Sequence, residues 1–290
     1  MGNGERAAAS SSSVQRGIAG SFAFPPAACT AALFPFPVPC SLFPAMQYCA
    51  HAEPTRAARH PPMTLLRFDA VSKRYQGGHE ALTDVSFSVQ PGEMLFVTGH
   101  SGAGKSTLLR LIHLAEQPSR GTVLMEDRNL SRLTGRKVAL QRRRVGVVFQ
   151  DHRLLSDRTV YENVAMPLVI AGVPRAEIEP RVRKGLEKVG LAGRERAKPR
   201  ELSTGEQQRV GIARAVVAEP PLLIADEPTG NLDPTLAVEI MDLFASLPSR
   251  GTTVLVASHD LGLVKRMRKR VLVLDHGKLL DDIPATELAS

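Results

Sequence analysis

Cysteine is scarce in this chain and is confined to one end of it. Three cysteines occur in 290 residues, and Cys29, Cys40 and Cys49 all precede residue 63. So small and odd a number excludes a disulfide scaffold, and no pair has the Cys-x-x-Cys spacing of a zinc site. The rest of the chain has no cysteine, which fits a reducing compartment.

Long hydrophobic runs are also missing. Prolines interrupt the apolar stretch 31–50, and the apolar run 164–173 is short and contains Pro167. A membrane-spanning helix needs about 20 consecutive apolar residues, and a signal peptide needs an unbroken run of about 7–15. The sequence therefore predicts neither, and any role at a membrane requires a partner that is embedded in it.

Positive charge is in mild excess and is clustered. The formal net charge is +8, and five of the nine residues at 136–144 and five of the six at 265–270 are basic. Because there is no zinc pattern and no aromatic residues are interleaved among the basic ones, no nucleic-acid partner is expected. Two interpretations of the clusters stay open. They are solvated faces, or they are attracted to an anionic membrane surface at about 1 kcal/mol per charge.

The first 62 residues differ in composition from the rest. They hold nine of the 21 prolines and no motif. Proline disrupts helices, and we expect residues 1–62 to form a disordered extension. A strand pattern begins directly after Met63, and we hypothesise that Met63 is the natural start. Residues 63–290 then form the functional domain.

Short strand patterns alternate with helical patterns in residues 63–290. Apolar residues at i, i+4 and i+7, such as Val182, Leu186 and Val189, predict helices. Runs of four or five mostly aliphatic residues are typical of buried parallel strands. These runs lie at 94–98, 145–149, 222–225, 254–257 and 271–274. The alternation predicts an α/β fold with a mainly parallel sheet, into which residues 151–220 are inserted as a helical segment.

A glycine-rich segment follows the predicted strand 94–98. Gly99 to Ser106 matches G-x-x-x-x-G-K-S, and a helical pattern begins at Leu108. In this setting the glycines let backbone N–H groups converge on phosphate oxygens, and the helix N-terminus adds positive charge. Lys105 is expected to reach the β- and γ-phosphates of a nucleotide, and Ser106 to ligate Mg²⁺.

Two acidic residues end the predicted strand 222–225. We expect Asp226 to bind Mg²⁺, directly or through water, as the acidic partner of the phosphate loop. Glu227 points elsewhere and can polarise the water that attacks the γ-phosphate. His259 follows a neighbouring strand at the edge where such folds bind ligands, and it is a candidate for a hydrogen bond to the γ-phosphate. Taken alone, an Asp-Glu pair is more often a solvated loop start and a single histidine is more often structural.

Together these motifs resemble those of the ATP-binding-cassette (ABC) ATPases over residues 63–285. The segment Leu202-Ser203-Thr204-Gly205-Glu206 is similar to the signature motif of that family. Gln150 is similar to its Q-loop glutamine, and Gly230-Asn231-Leu232-Asp233 is similar to its D-loop. Tyr75 is similar to the aromatic residue that stacks on adenine. Six motifs in the right order identify the chain as a member.

The resemblance implies a fold, cofactors and a set of site residues. The fold is a P-loop NTPase cassette with a RecA-like, mainly parallel sheet, an antiparallel β subdomain and a helical subdomain that carries the signature. ATP and Mg²⁺ are the implied cofactors. The implied catalytic residues are Glu227, His259 and Lys105, and the implied Mg²⁺ ligands are Ser106, Gln150 and Asp226. The implied ATP-binding residues are Tyr75, Gly99, His100, Ser101, Gly102, Ala103, Gly104, Lys105, Ser106, Thr107 and Gln150.

The resemblance also implies a pair of copies. In this family two cassettes pair head to tail, so Leu202 to Glu206 would bind the ATP of the partner copy, with Asn231, Leu232 and Asp233 as the D-loop. One position departs from the pattern, because Thr204 stands where the motif usually has glycine. A β-branched residue is less permissive of unusual backbone angles, and we expect slower activity at worst.

A narrower resemblance concerns the membrane partner. The segments 149–164, 99–104 and 206–215 are similar to the bacterial cell-division group of these ATPases. It implies a homodimer held at the cytoplasmic face of the inner membrane by an integral membrane subunit resembling FtsX, with an indirect link to the division machinery and cell-wall hydrolases. The alternative is the ATPase of a lipoprotein-releasing or macrolide-type exporter, whose cassettes share the segment 226–233.

Overall fold

The computed structural model of the chain describes residues 64–230 and 232–287. The predicted extension 1–62, the hypothesised start at Met63 and the D-loop residue Asn231 lie outside these residues. Within the described ranges the chain forms ten β-strands and seven α-helices.

Six strands form the main sheet, in the order β10-β9-β3-β8-β7-β6. Four neighbouring pairs are parallel, and β10 alone pairs antiparallel, with β9. The strands are β3 (Met94–Thr98), β6 (Val145–Val148), β7 (Leu222–Asp226), β8 (Thr253–Ala257), β9 (Arg270–Asp275) and β10 (Lys278–Ile283). The predicted α/β fold with a mainly parallel sheet is confirmed.

Alternate residues of the central strands enter two separate hydrophobic cores. From β3, Met94 and Phe96 enter one core, whereas Leu95 and Val97 enter the other. All five residues of this strand are buried. A strand that is covered on both faces needs an apolar or neutral residue at every position, which is why its sequence is a continuous hydrophobic run.

A second sheet is antiparallel and has the order β2-β1-β4-β5, as the resemblance implies. Its strands are β1 (Leu66–Arg74), β2 (Glu80–Val89), β4 (Arg120–Met125) and β5 (Arg128–Asn129). Val85, Phe87 and Val89 of β2 are buried, and the rings of Phe87 and Phe68 stack with their centroids 4.6 Å apart. This stack joins the two longest strands of the sheet on one face.

Three of the seven helices follow one another in the predicted helical segment. The seven are α1 (Lys105–Ile112), α2 (Arg136–Arg142), α3 (Val160–Ala171), α4 (Arg175–Lys188), α5 (Thr204–Val216), α6 (Pro234–Ser246) and α7 (Leu261–Met267). Helices α3, α4 and α5 pack against one another. Both α3 and α5 begin at a capping box, formed by Thr159 with Glu162 and by Ser203 with Glu206. Among the described residues, no helix has both the length and the apolar character needed to cross a membrane.

Gly146 of β6 allows α5 to pack closely on the main sheet. A Cβ atom added at this glycine would lie 2.4 Å from the carbonyl oxygen of Ala215. We therefore expect Gly146→Ala to lower the free energy of unfolding by about 1–3 kcal/mol, because the backbone must move to admit the methyl group. Chemical denaturation followed by circular dichroism measures this change.

Gly185 in α4 provides the matched control. A Cβ atom added there meets its nearest neighbour, a Val217 methyl group, at 3.7 Å, which is an ordinary contact. Since alanine is the better helix former by up to about 1 kcal/mol, Gly185→Ala should be neutral or stabilising. Equal destabilisation by the two substitutions would contradict the packing argument.

Candidate functional site

Four loops meet at the edge of the main sheet where its parallel strands end. After β3, β6, β7 and β8 they begin at Gly99, Phe149, Glu227 and Ser258 respectively. The register pairs both Val97 and Asp226 with Ala257 of β8. The structure thereby brings the phosphate loop, the acidic pair and His259 to the same edge, where open α/β sheets bind ligands.

The phosphate loop is packed tightly between two neighbouring chain segments. A Cβ atom at Gly99, where φ is 150°, would lie 2.2 Å from the carbonyl oxygen of Leu274. One at Gly104, where φ is 106°, would lie 2.6 Å from that of Ala81. Both positions therefore require glycine. Helix α1 begins directly after Gly104 and has no side-chain cap, so the N–H groups of its first turn suit an anionic ligand.

Lys105 lies across the phosphate loop and is almost completely buried. Its Nζ donates hydrogen bonds to the carbonyl oxygens of Gly99, at 2.7 Å, and His100, at 3.1 Å. The side chain is only 6% exposed. An ammonium group has three donors, so these two bonds orient Lys105 and leave one N–H for a phosphate oxygen.

Asp226, at the end of β7, faces Ser106 of the phosphate loop. Burial raises the pKa of the Asp226 carboxyl above its ordinary value, the hydrogen bond with Ser106 opposes the rise and the charge of Glu227 adds to it. Among the described residues, its buried Oδ1 atom has no hydrogen-bond partner. A carboxylate oxygen and a hydroxyl are hard donors that suit Mg²⁺, so the residues present fit the implied cation.

Glu227 and His259 contact each other. Oε1 of Glu227 lies 3.1 Å from Nδ1 of His259, and the two side chains are 22% and 62% exposed. The backbone N–H of Glu227 donates to the carbonyl oxygen of Ala257 at 2.9 Å, and its φ of 46° is uncommon for a residue with a side chain. The backbone of Glu227 is thus held at the end of β8. Because both side chains are partly exposed, water reaches Glu227 and His259.

Tyr75 lies next to α1, in the loop that follows β1. Its hydroxyl is 3.4 Å from Oγ1 of Thr107, and the Nζ atom of Lys73 lies 5.0 Å from the centre of its ring. The ring is half-buried. The structure therefore places this predicted adenine-stacking residue beside the helix that leaves the phosphate loop.

Gln150 is exposed in a turn after β6, and the segment that follows it is held by α3 and α5. Arg214 of α5 donates to the carbonyl oxygens of His152, at 2.7 Å, and Arg153, at 2.8 Å. Both of these residues have positive φ values, 57° and 48°. The buried Asn163 of α3 accepts a hydrogen bond from the N–H of Leu155 at 2.8 Å. These contacts link the Q-loop to the helix that follows the signature motif.

Gln208 is a third support of the Q-loop, because its Oε1 meets Nδ1 of His152. The sequence marks neither Gln208 nor Arg214, since both lie within the predicted helical segment 151–220 and belong to no motif. The one usable signal is Asn163, a polar residue among the apolar positions of α3 and 0% exposed in the structure. A buried amide must find hydrogen-bond partners, and here it finds them in the loop.

The signature motif forms the start of α5, away from α1. Helix α5 packs mainly against α3, α4 and β6. A Cβ atom at Gly205 would lie 2.7 Å from Cδ2 of Leu236 in α6. Leu202 is buried, and Glu206 bonds back to the N–H of Ser203 at 2.9 Å. The structure thus does not bring Leu202 to Glu206 onto the phosphate loop of the same chain.

Thr204 is the first residue of α5 and is not among the described residues with positive φ. A helical backbone accepts a β-branched residue. The backbone reason for expecting slower activity therefore does not apply.

The D-loop leads into α6. Asp233 caps this helix by accepting hydrogen bonds from the N–H groups of Thr235 and Leu236, both at 3.1 Å. Leu232 lies 3.6 Å from the Cβ position of Gly205. The structure therefore brings the D-loop to the start of the signature helix.

Comparison with known proteins finds several that are similar to this chain. A family model described as "ABC transporter" matches residues 82–230. The cell division ATP-binding protein FtsE of Escherichia coli K12 is 54% identical over 215 residues, which are 74% of this chain and 97% of that protein. The protein of the same name from Bacillus subtilis 168 is 41% identical over 226 residues, which are 78% of this chain and 99% of that protein.

Solved structures of ATP-binding cassettes are similar as well. The dimeric cassette MJ0796, in a post-hydrolysis state bound to ADP and Pi, is 32% identical with a TM-score of 0.71, covering 76% of this chain and 98% of that one. CbiO1 from Clostridium perfringens, part of the ABC transporter complex cbiONQ, is 30% identical with a TM-score of 0.72, covering 78% and 90%.

The burial of Asp226 leads to a prediction about stability and pH. Because the pKa of this carboxyl is raised in the folded state, the unfolded chain loses the proton at a lower pH than the folded chain does. The cation-free protein therefore loses stability as the pH rises from the ordinary aspartate pKa through the raised value. Asp226→Asn should raise the melting temperature at neutral pH without divalent cations, and it should weaken Mg²⁺-dependent ATP binding.

Thermal unfolding over a pH series, together with calorimetric titration of ATP in the presence of Mg²⁺, measures both effects. Asp242→Asn, which removes the same charge from an exposed position of α6, is the control and should change neither quantity. A lower melting temperature with unchanged ATP affinity for Asp226→Asn would contradict the assignment.

Proposed function

The chain belongs to the ABC transporter family, and on that premise we propose that it is the ATP-hydrolysing subunit of a bacterial cell-division complex. The observation that carries the assignment of ATP hydrolysis is the convergence of Lys105, Ser106, Asp226 and the Glu227–His259 pair at one edge of the sheet. The phosphate loop alone supports nucleotide binding, whereas the paired glutamate and histidine add the groups that hydrolysis needs.

The division role is supported by relatives and by the Q-loop region. Proteins named as cell division ATP-binding protein FtsE in Escherichia coli, Streptococcus pneumoniae and Bacillus subtilis are 54%, 45% and 41% identical to this chain. These names do not favour the alternative, an ATPase of a lipoprotein-releasing or macrolide-type exporter. By analogy, ATP-driven motion would be passed through the membrane partner to the division machinery and the cell-wall hydrolases.

The proposed reaction uses the groups at this edge of the sheet. The N–H groups of 99–106 and the Nζ of Lys105 bind the phosphates, and Ser106, Asp226 and Gln150 would hold Mg²⁺. When bound there, Mg²⁺ would neutralise charge on the phosphate oxygens. Glu227 accepts a proton from water while the water oxygen bonds to the γ-phosphorus and the bond to the bridging oxygen of ADP breaks. His259 positions Glu227 and can donate to the γ-phosphate.

We propose that each complete site needs two copies of the chain. The signature residues lie apart from the phosphate loop within one chain, and the similar cassette MJ0796 is described as a dimer. Ser203 and Gly205 begin a helix, so in a head-to-tail pair they offer a second helix N-terminus to the γ-phosphate. ATP then holds the two copies together, and hydrolysis weakens that contact.

The proposed membrane partner has an apolar groove available beside the Q-loop. A cavity of about 580 Å³ is lined by Phe149, Met166, Pro167, Ile170 and Pro220, among others, with Arg142, Arg143 and Arg153 contributing positive charge. Ile170 is 52% exposed and its neighbour Val169 is 60% exposed. Adjacent exposed apolar residues of this kind mark interaction surfaces. We propose that a cytoplasmic segment of an FtsX-like subunit, apolar with acidic flanks, occupies this groove.

The proposal places the protein peripherally at the cytoplasmic face of the inner membrane. In the basic run 136–144, Arg144 pairs with Glu126 at 2.6 Å, whereas Arg136 and Lys137 are exposed. In the run 265–270, Arg270 is held by ion pairs with Glu93 and Asp282. Arg144 and Arg270 are therefore less available to anionic lipid than the sequence suggests. We propose that the membrane partner holds the protein at the membrane.

Glu227→Gln tests the hydrolytic mechanism. We expect ATP binding to be retained and turnover to fall at least about 100-fold, since a general base contributes roughly 10²–10⁴ in rate. Phosphate release and light scattering measure turnover and ATP-dependent pairing, which should persist in this variant. Glu219→Gln, an exposed carboxylate just after α5, is the control. Normal turnover of Glu227→Gln would show that another group accepts the proton.

Ile170→Asp tests the docking groove. A charge at this exposed apolar position should prevent co-purification with the membrane subunit and delay septation in cells, while the ATPase rate of the isolated chain stays within about twofold, because a surface substitution changes little in the fold. Leu261→Asp changes an equally exposed residue, at 58%, outside the groove, and should leave the complex intact. If both variants co-purify normally, the partner docks elsewhere.

A further inference from the structure

Three potential metal ligands lie together, and their side chains are not among the groups assigned to ATP hydrolysis. His100 belongs to the phosphate loop, Asp275 is the last residue of β9, and His276 lies in the turn between β9 and β10. Oδ1 of Asp275 lies 2.9 Å from Nε2 of His100 and 3.8 Å from Nε2 of His276. One ligating atom from each of the three residues falls within 4.8 Å of the others.

We propose that His100, Asp275 and His276 bind a first-row transition-metal cation of the Zn²⁺ type. Two imidazoles and one carboxylate form a ligand set that such cations prefer to Mg²⁺ or Ca²⁺. With metal–ligand bonds of about 2.1 Å, neighbouring ligand atoms lie roughly 2.9–3.4 Å apart. The 2.9 Å pair already has this spacing, and the side chain of His276, which is 83% exposed, is free to close the longer distance.

The orientation of the His100 ring supports the proposal independently of the cluster. Its Nδ1 lies 2.6 Å from the carbonyl oxygen of Ser101. A carbonyl only accepts, so Nδ1 donates to it, and in the neutral imidazole the lone pair is then on Nε2, facing the carboxylate of Asp275. In that tautomer two acceptors face each other at 2.9 Å, an arrangement that a bound cation satisfies. Histidines that bind metals commonly donate their other N–H to a carbonyl oxygen in this way.

Backbone hydrogen bonds hold the turn that carries His276 against the phosphate loop and β2. Gly277, next to His276, donates to the carbonyl oxygen of Ala103 at 3.1 Å and accepts from the N–H of Thr83 at 2.7 Å. The turn is therefore already packed on the phosphate loop before any cation binds, so little ordering is needed. The three side chains are between 40% and 83% exposed, so an ion enters from solvent and water completes its coordination.

Titration with Co²⁺, a spectroscopic substitute for Zn²⁺, tests the site in the full-length chain without nucleotide, Mg²⁺ or an affinity tag. We expect the wild-type protein to bind one equivalent more than His276→Asn, with visible absorption bands that Zn²⁺ abolishes. The affinity at this site should fall at least about tenfold in His276→Asn and in Asp275→Asn. His79→Asn removes a histidine outside the cluster and should match the wild type.

The contrary result is equal Co²⁺ stoichiometry and affinity for the wild type and both cluster variants. In that case the contact between His100 and Asp275 is only a polar contact within the protein, and there is no metal site. His276 is highly exposed, so its substitution should not prevent folding, and circular dichroism verifies this. The titration contains no ATP, so its failure would leave the proposed ATPase function untouched.

Discussion

The backbone of the phosphate loop lies so close to its neighbours that no side chain fits between them. At Gly99 and Gly104 an added Cβ atom would fall within 2.6 Å of carbonyl oxygens from β9 and β2. The main sheet and the antiparallel sheet therefore clamp the loop from two sides. Lys105 and Ser106 follow directly at the start of α1, so their positions depend on this contact.

The strand order of the main sheet determines where the acidic residues lie relative to this loop. Because β3 and β7 both pair with β8, the loop after β3 and the carboxylates after β7 are separated by a single strand. Asp226 is partly buried against Ser106 in this arrangement, and the partial burial raises the pKa of its carboxyl at a cost in stability. A cation would offset that cost, which gives a physical reason for placing an otherwise unfavourable carboxylate there. Glu227 meets the histidine of the next loop and remains reachable by water.

Much of this site can be predicted from the sequence because its motifs are local. Gly99 to Ser106 and the pair Asp226-Glu227 are contiguous and directly follow apolar strands, so pattern and spacing are enough. The contacts of Arg214 cannot be predicted, because its partners His152 and Arg153 are about 60 residues away and are reached through their backbone oxygens. The ion pairs of Arg270 with Asp282 and Glu93 also join residues far apart in the sequence. The sequence alone therefore does not show that this arginine of the run 265–270 is paired.

In the proposed pair, one ATP molecule is shared between the phosphate loop of one copy and the signature motif of another. A crystal structure of the Glu227→Gln protein with Mg²⁺ and ATP is the decisive measurement. We expect a head-to-tail pair with the γ-phosphate between Lys105 of one copy and Ser203 and Gly205 of the other, and with Mg²⁺ on Ser106. ATP bound to single copies, with the signature residues facing solvent, would contradict it.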